Sequence, residues 1–116
     1  MKKAYVLLFD GYADWEIGYV LAELRRIGEM EVVSVGFTRE QVMSMGGLGV
    51  QPDISLADVD LDDVLIFILP GGTMWEAEYP KEEIEKFLHA LDKKEIPMAA
   101  ICAATTVLAK AGVLGG

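Results

Sequence analysis

Cysteine and histidine each occur only once in this 116-residue sequence, as Cys102 and His89. A lone cysteine cannot form an internal disulfide, which excludes the small secreted scaffolds that depend on such bonds. The same scarcity leaves too few thiols and imidazoles for a zinc site, so we predict no metal site. No cofactor-binding pattern is evident in the sequence, and we predict that the protein works without a cofactor.

Basic residues are scarce too, with 10 Lys and Arg against 19 Asp and Glu and a net charge of −9. Binding to nucleic acid depends on clustered positive charge, so we exclude a nucleic-acid partner. Long apolar runs are also missing. None approaches the ~20 residues that span a bilayer, and Asp10 stops the first run too early for a signal peptide. We therefore expect a soluble cytoplasmic protein with no membrane partner.

What the sequence does contain is two kinds of apolar segment. Some are continuous apolar runs, and in others the apolar residues recur at helical spacing. Continuous apolar runs predict buried strands over residues 5–9, 32–35, 64–69 and 98–101. Apolar residues at helical spacing predict two amphipathic helices, one starting after an N-cap at Asp14 and one after Pro80. The predicted apolar faces are Ile17, Val20, Leu21, Leu24 and Ile27 in the first helix and Ile84, Phe87, Leu88 and Leu91 in the second. A third helix is predicted after Cys102.

Strands that alternate with helices predict an α/β protein, a three-layer sandwich around a mostly parallel, flavodoxin-like sheet. Two short extended pieces around Gly46-Gly47 predict a small β-hairpin inserted between the second and third strands. No linker, repeat or low-complexity segment divides the sequence, so residues 1–116 are predicted to form a single domain. Ligands of such folds bind beyond the carboxyl ends of the strands, and the loops there are the candidates for a functional site.

Three of these loops carry residues suited to catalysis. Cys102 lies between the last predicted strand and its helix, where the helix dipole and unpaired N–H groups stabilise a thiolate. Gly71-Gly72 follows the third strand with a backbone free to turn N–H groups toward an oxyanion, together with the N–H of Ala103. Glu16, near the start of the first helix, is a candidate general acid or base facing the thiol.

Each of these residues also has an ordinary structural explanation that the local sequence leaves open. Free cysteine is common in cores, paired glycines commonly end a strand, and a carboxylate in the first helical turn is commonly solvated. Trp15 and Trp75 stand beside the same loops and either wall the crevice or pack in the core. His89 is predicted to face solvent, about 150° from the apolar face of its helix, and so not to pair with the thiol.

Other proteins of the same fold class are excluded by the residues at their strand ends. A phosphoacceptor receiver domain needs an Asp and a Lys where this sequence has Pro70-Gly71-Gly72 and Cys102. The glycine cluster at 46–49 lacks the spacing of a dinucleotide-binding loop and opens no helix. The segment "DGYADWE" is not the hydroxyl-rich loop that a flavin phosphate requires.

Taken together, three segments resemble the ThiJ/PfpI (DJ-one-like) superfamily, within the class I glutamine amidotransferase-like fold. They are "FDGYADWE" with Glu16, "ILPGG" with Gly71 and Gly72, and "AAICAATTVLAKAG" with Cys102, in the order of the family. The resemblance implies that Cys102 is the nucleophile on a tight elbow and that the Glu16 carboxyl contacts its sulfur. It also implies that Gly72 and Ala103 supply oxyanion-binding N–H groups, that Gly71 shapes the loop, and that the protein forms homodimers.

Two features depart from the family pattern. Many hydrolytic relatives have a histidine directly after the cysteine, where this sequence has Ala103, which weakens a protease interpretation. Relatives also continue past the elbow helix, so we expect the chain to be C-terminally incomplete, with any histidine partner beyond Gly116.

The expected function is a cysteine-dependent enzyme acting on a small carbonyl or amide substrate, as a hydrolase, an amidotransferase-like enzyme or a glyoxalase/deglycase-like enzyme. The alternative is a non-catalytic redox-sensing or chaperone-like protein in which Cys102 is oxidised.

Overall fold

The computed structural model of the protein describes residues 3–76 and 78–100. Its strands are β1 (Lys3–Leu7), β2 (Glu31–Gly36), β3 (Val42–Met43), β4 (Gly49–Val50), β5 (Ile54–Ser55), β6 (Val64–Leu69) and β7 (Met98–Ala100). The α-helices of this part are α1 (Asp14–Arg26) and α2 (Lys81–Lys93). Short 3₁₀ segments cover Leu56–Asp58, Leu61–Asp63 and Thr73–Glu76.

Five of the described strands form one parallel sheet in the order β5-β2-β1-β6-β7. The central strand, β1, pairs with β2 through contacts such as Val6 with Ser34, and with β6 through contacts such as Tyr5 with Phe67. The chain moves one way from β1 to β2 and the other way from β6 to β7. Because such crossovers are right-handed, α1 and α2 lie on opposite faces. The three-layer α/β sandwich predicted from the sequence is confirmed.

The two faces of the sheet are covered by different helices. Phe67 of β6 is fully buried, and its ring lies 4.9 Å from that of Phe87 in α2, measured between centroids. On the opposite face, Ile17 of α1 and Val6 of β1 line a groove of about 850 Å³. A strand covered on both faces needs apolar residues at every position, which explains the continuous apolar runs in β1 and β6.

The alternation of strands and helices is interrupted between β2 and β6, as predicted, by the small antiparallel hairpin of β3 and β4. Val42 pairs with Val50 and Met43 pairs with Gly49. The sequence pattern did not indicate β5, which adds two residues to the edge of the main sheet beside β2. A two-residue strand is too short to show a period, and its place in the sheet comes from pairing with β2.

Helix α2 confirms its predicted apolar face. Ile84, Leu88 and Leu91 are buried, and Phe87 packs partly buried against the same core. His89 is exposed on this helix, also as predicted. Neither α1 nor α2, the helices in the described part of the chain, is long and apolar enough to cross a membrane.

Helix α1 departs from two local predictions, and its exposure settles one alternative that the sequence left open. Asp14 is the first residue of the helix, and the N-cap is Ala13, because the Asp14 carboxylate binds a distant N–H group instead. Ile27 is the C-cap and is 67% exposed, so the apolar face ends before it. Trp15 is 66% exposed, whereas Trp75 is buried, so core packing holds only for Trp75.

Candidate active site

Two of the three loops singled out in the sequence meet at the carboxyl edge of the sheet. Tyr12, after β1, forms an isolated antiparallel bridge with Gly72, after β6. Beside that bridge, the N–H of Ala13 donates to the carbonyl of Gly71 at 2.9 Å. The chain leaves β1 and β6 in opposite directions, so this is the point where strand order reverses and where open α/β sheets bind ligands.

Glu16 connects the same two loops through its side chain. It is the third residue of α1 and is half-buried. Its Oε1 accepts a hydrogen bond from the N–H of Gly71 at 3.0 Å, across 55 residues of sequence. The carboxylate therefore turns toward the loop after β6, which excludes a purely solvated role. The positive end of the α1 dipole lies in the same helical turn and favours a negative charge there.

The two glycines after β6 have different surroundings. Gly71 is bonded through both of its main-chain groups, since its N–H donates to Glu16 and its carbonyl accepts from Ala13. The bond from Ala13 flanks the pair of Tyr12 and Gly72, which is therefore a pair of the non-hydrogen-bonded kind. The N–H of Gly72 therefore points away from Tyr12. The N–H of Gly71, in contrast, already donates a hydrogen bond to Glu16.

Gly72 also lies where no side chain fits. A Cβ at this position would lie 2.7 Å from the carbonyl oxygen of Gly11 and 2.8 Å from a ring carbon of Phe9. Both distances are shorter than real Cβ contacts, and the first involves main chain that cannot move aside easily. The close approach of the two loops therefore depends on glycine at this position.

The loop after β6 is fixed to the core by Trp75. Its indole Nε1–H donates to the carbonyl of Pro70 at 2.8 Å in a buried hydrogen bond. The ring packs edge-on against Phe9 and Tyr79, with centroid distances of 5.1 and 5.2 Å. Since Pro70 immediately precedes Gly71, this bond holds the strand end of the glycine loop in place.

The β3–β4 hairpin is fastened to the loop after β1. Four hydrogen bonds of 2.8–2.9 Å connect them: Gly11 N–H to the Met43 carbonyl, Met45 N–H to the Tyr12 carbonyl, Met43 N–H to Asp10 Oδ1 and Gly46 N–H to Asp14 Oδ1. The loop that leads into Glu16 is thus held on one side by the hairpin and on the other by the loop after β6.

Tyr12, Ser44 and Asp14 form a polar cluster within this contact. Hydrogen bonds from the Ser44 hydroxyl and from the N–H of Gly46 hold the pKa of Asp14 below its ordinary value. Burial raises the pKa of the Tyr12 hydroxyl, and the nearby Asp14 carboxylate raises it further, while the hydrogen bond with Ser44 opposes both. Asp14 is therefore held in its charged form at the start of the helix that carries Glu16.

The third predicted loop, with Cys102 and Ala103, and the helix predicted after it lie outside the described residues. β7 pairs in parallel with β6, and its last residue, Ala100, lies opposite Leu69. The described part of β7 therefore ends at the level of the sheet from which Pro70 leads into the glycine loop.

A cavity of about 310 Å³ opens at this edge between residues that follow β1, β2 and β6. Its walls include the aromatic rings of Phe9, Phe37 and Tyr79 and the carboxylates of Asp10 and Glu40. Its volume is at the lower end of the range found for small-molecule sites. Neither this cavity nor the larger groove beside α1 is lined by Glu16, Gly71 or Gly72. In the described ranges, no group of three His, Cys, Asp or Glu side chains could hold a metal ion.

Sequence reasoning missed the bond of Trp75 to Pro70 and the cluster of Tyr12, Ser44 and Asp14. The tryptophan is visible in the sequence as a wall or core residue, but its hydrogen bond requires the chain to turn back after Gly72. Ser44 lies between two methionines in the hairpin and contacts Tyr12 and Asp14, which are about 30 residues away in the sequence. No local pattern marks contacts of this kind.

The fold is a parallel α/β sandwich, and at the carboxyl edge of its sheet a carboxylate is hydrogen-bonded to a glycine loop. Proteins of this class have their active sites at that edge. Residues 2–116 match the DJ-1/PfpI family. The chain is 38% identical over 120 residues to the uncharacterized protease YoaZ of Bacillus subtilis, covering 97% of the chain and 57% of YoaZ. It is 31% identical over 114 residues to the deglycase TK1284 of Thermococcus kodakarensis, covering 98% of the chain and 68% of that protein.

Solved structures agree with this match. The structure of oxidized DJ-1 from Toxoplasma gondii has a TM-score of 0.84 and 26% identity, covering 100% of this chain and 64% of the other. The chain belongs to the DJ-1/PfpI family. It spans little more than half the length of YoaZ, at 57%.

Proposed function

We propose that the protein is a cysteine-dependent enzyme that acts on a small carbonyl or amide substrate. In this proposal Cys102 is the nucleophile and Glu16 exchanges protons with it. The N–H groups of Gly72 and Ala103 bind the developing oxyanion. The observation that carries the proposal is the 3.0 Å hydrogen bond between Glu16 and Gly71, which joins two of the three loops singled out by the sequence.

The register of β6 and β7 supports the third loop as a partner of the other two. Leu69 lies opposite Ala100, and in the sequence Gly71 and Cys102 each follow two residues later. Consecutive Cα atoms are about 3.8 Å apart, so the Cα of Cys102 lies no farther than about 7.6 Å from that of Ala100. This limit supports the proposal that the thiol lies at the edge where Glu16 contacts Gly71.

The proposed chemistry begins with proton transfer from the Cys102 thiol to the Glu16 carboxylate. The thiolate then attacks the carbonyl carbon, and a C–S bond forms while the π electrons move to oxygen. With an aldehyde or ketone, Glu16 returns the proton to that oxygen and a hemithioacetal results. With an amide, the C=O bond re-forms and the amine leaves with the proton from Glu16. Water then cleaves the thioester, which releases the acid and restores the thiol.

The names of two relatives favour an enzyme, since one is described as a protease and the other as a deglycase. The chain spans 57% of the protease and 68% of the deglycase. The activity, substrate and partners of the whole protein are therefore proposed. The proposal includes a single domain and a cytoplasmic homodimer without nucleic-acid or membrane partners. The net charge of −9 supports the exclusion of nucleic acid.

Turnover of small dicarbonyl compounds and chromogenic amides by the full-length protein tests this proposal. Cys102→Ser is expected to abolish turnover, and Glu16→Gln to lower it by about a hundredfold, the lower range for loss of a general acid or base. His89→Ala is the control, because this exposed histidine is expected to leave turnover unchanged. Unchanged turnover in Cys102→Ser would contradict the proposal.

A second candidate function is that of a redox sensor, favoured by the description of the Toxoplasma gondii structure as oxidized DJ-1. In this case the Cys102 thiolate reacts with two molecules of peroxide, gains two oxygen atoms as a sulfinate and releases two molecules of water. Mass spectrometry after mild peroxide treatment distinguishes the candidates. Addition of two oxygen atoms at Cys102, in a protein without turnover of any tested substrate, would favour the sensor.

A further inference from the structure

We propose that Trp75 is a positioning residue of the active site, which acts on Glu16 through a single peptide group. The inference rests on the proposed function, because it assigns a role in orienting the carboxylate that exchanges protons with Cys102. It concerns the indole N–H of Trp75 and not only the bulk of its ring.

The geometry that supports this role lies in the peptide group between Pro70 and Gly71. The carbonyl of Pro70 and the N–H of Gly71 belong to one planar unit and point in opposite directions. Trp75 Nε1–H donates to the carbonyl at 2.8 Å, and the N–H donates to Glu16 Oε1 at 3.0 Å. One peptide group therefore links the indole to the carboxylate, with a hydrogen bond at each end.

The indole is itself held firmly. Trp75 is 7% exposed, and its ring contacts Phe9 and Tyr79 in edge-on geometry at 5.1 and 5.2 Å. Phe9 also lies under Gly72, where it would contact any added Cβ at 2.8 Å. The tryptophan thus offers a donor of fixed position, and the carbonyl of Pro70 is oriented by a group that cannot move away easily.

Two physical effects pass from Trp75 to Glu16 through this peptide. The bond to the carbonyl fixes the rotation of the peptide plane, which sets the direction of the Gly71 N–H. It also polarises the peptide group, and hydrogen bonds in such a chain strengthen one another. Loss of the indole N–H is expected to weaken the bond between Gly71 and Glu16 and to leave the carboxylate less well oriented.

The test compares Trp75→Phe with Trp15→Phe in the full-length protein. Both variants remove an indole, but Trp15 is 66% exposed and lines neither of the two cavities described above, so it serves as the matched control. The first measurement is the rate at which iodoacetamide alkylates Cys102 at neutral pH. Trp75→Phe is expected to slow this rate by about three- to tenfold, the effect of one lost neutral hydrogen bond. Trp15→Phe is expected to leave the rate unchanged.

The second measurement separates positioning from a general loss of packing. Hydrogen exchange followed by NMR is expected to show faster exchange of the Gly71 amide in Trp75→Phe. The amide of Leu8, which donates to Val35 within the core, is expected to keep its rate. If the Phe variant does not fold, the sulfur analogue benzothienylalanine at position 75, in the Trp15→Phe background, removes the N–H and keeps the shape.

The outcomes distinguish failure of this inference from failure of the proposed function. Slower alkylation and faster Gly71 exchange in the variant that lacks the N–H support the inference. If Glu16→Gln slows alkylation but removal of the Trp75 N–H does not, the inference is wrong and the proposed function stands. If Glu16→Gln has no effect on alkylation, the proposed role of Glu16 fails, and the inference fails with it. Uniformly faster exchange, including Leu8, would assign Trp75 a packing role only and overturn the inference.

Discussion

Individual residues of the same type have different roles here because of their surroundings. Gly72 lies between two loops that approach closely, with main-chain and ring atoms within 3.0 Å of where a Cβ would stand. Gly18, in the middle of α1, has no atom within 4 Å of that point. The first glycine is required by the site, whereas the second only costs the helix conformational entropy.

Alanine substitution at these two glycines tests that difference. Gly72→Ala is expected to lower the free energy of unfolding by about 1–3 kcal/mol, because the loops must separate to admit the methyl group. Gly18→Ala is expected to raise it by roughly 0.5–1 kcal/mol through higher helix propensity. Urea denaturation measures both changes. A Gly72→Ala protein as stable as the wild type would show that the two loops do not pack as closely as described.

Among the elements, the β3–β4 hairpin supports the site although it lies outside the main sheet. Its main chain and the loop after β1 share four hydrogen bonds, of which one ends on the carboxylate of Asp14. That carboxylate also accepts a hydrogen bond from Ser44, and its pKa is lowered as a result. The hairpin is therefore expected to stay docked most firmly when Asp14 is ionised.

The pH dependence of stability tests this contact. Because the pKa of Asp14 is lower in the folded state, its contribution is fully present above the ordinary value of 3.8 and is lost as the pH falls through the lower folded-state value. Wild type is expected to be more stable than Asp14→Asn at neutral pH, and this advantage is expected to shrink below pH 3.8. Urea denaturation at neutral pH and below pH 3.8 measures the difference in the free energy of unfolding between the two proteins.

Asp92→Asn, on the exposed side of α2, is the matched control for the loss of one carboxylate. In the described part of the chain, no hydrogen bond is seen to the Asp92 side chain, so a small difference at both pH values is expected. A constant advantage of wild type over Asp14→Asn at both pH values would indicate that ionisation of Asp14 does not hold the hairpin.

The elements also show what the sequence can predict. The strand at 64–69 and the apolar face of α2 were predicted correctly, because burial on both faces leaves a continuous apolar run and burial on one side leaves a helical period. The N-cap at Asp14 was wrong, since the carboxylate binds Gly46, which lies 32 residues away and leaves no local signal. The short β5 and the hydrogen bond from Trp75 to Pro70 were not predicted for the same reason. Both depend on the tertiary structure and leave no pattern in the local sequence.

At the site, the sequence predicted that loops after different strands would converge, and the contact of Glu16 with Gly71 confirms this for two of them. The prediction succeeded because parallel strands end at one edge, whatever their separation along the chain. It did not foresee that the N–H of Gly71 is occupied by Glu16, since that depends on the rotation of one peptide group. The roles of Cys102 and Ala103 stay predictions.

In the whole molecule, the sheet order brings three distant segments to one edge. β1 supplies the loop before Glu16, β6 supplies the glycines, and β7 leads toward Cys102. The family match and the solved structure with a TM-score of 0.84 agree with this arrangement. The central claim is that the arrangement makes Cys102 a reactive thiol controlled by Glu16.

The measurement that tests this claim most directly is the rate of Cys102 alkylation by iodoacetamide as a function of pH, in the full-length protein and its Glu16→Gln variant. We predict that the wild-type rate reaches half its maximum at a pH well below about 8.5, the ordinary pKa of a cysteine thiol. We also predict that Glu16→Gln slows the reaction at neutral pH. A Cys102 that is unreactive, or that titrates like an ordinary thiol with and without Glu16, would contradict the account.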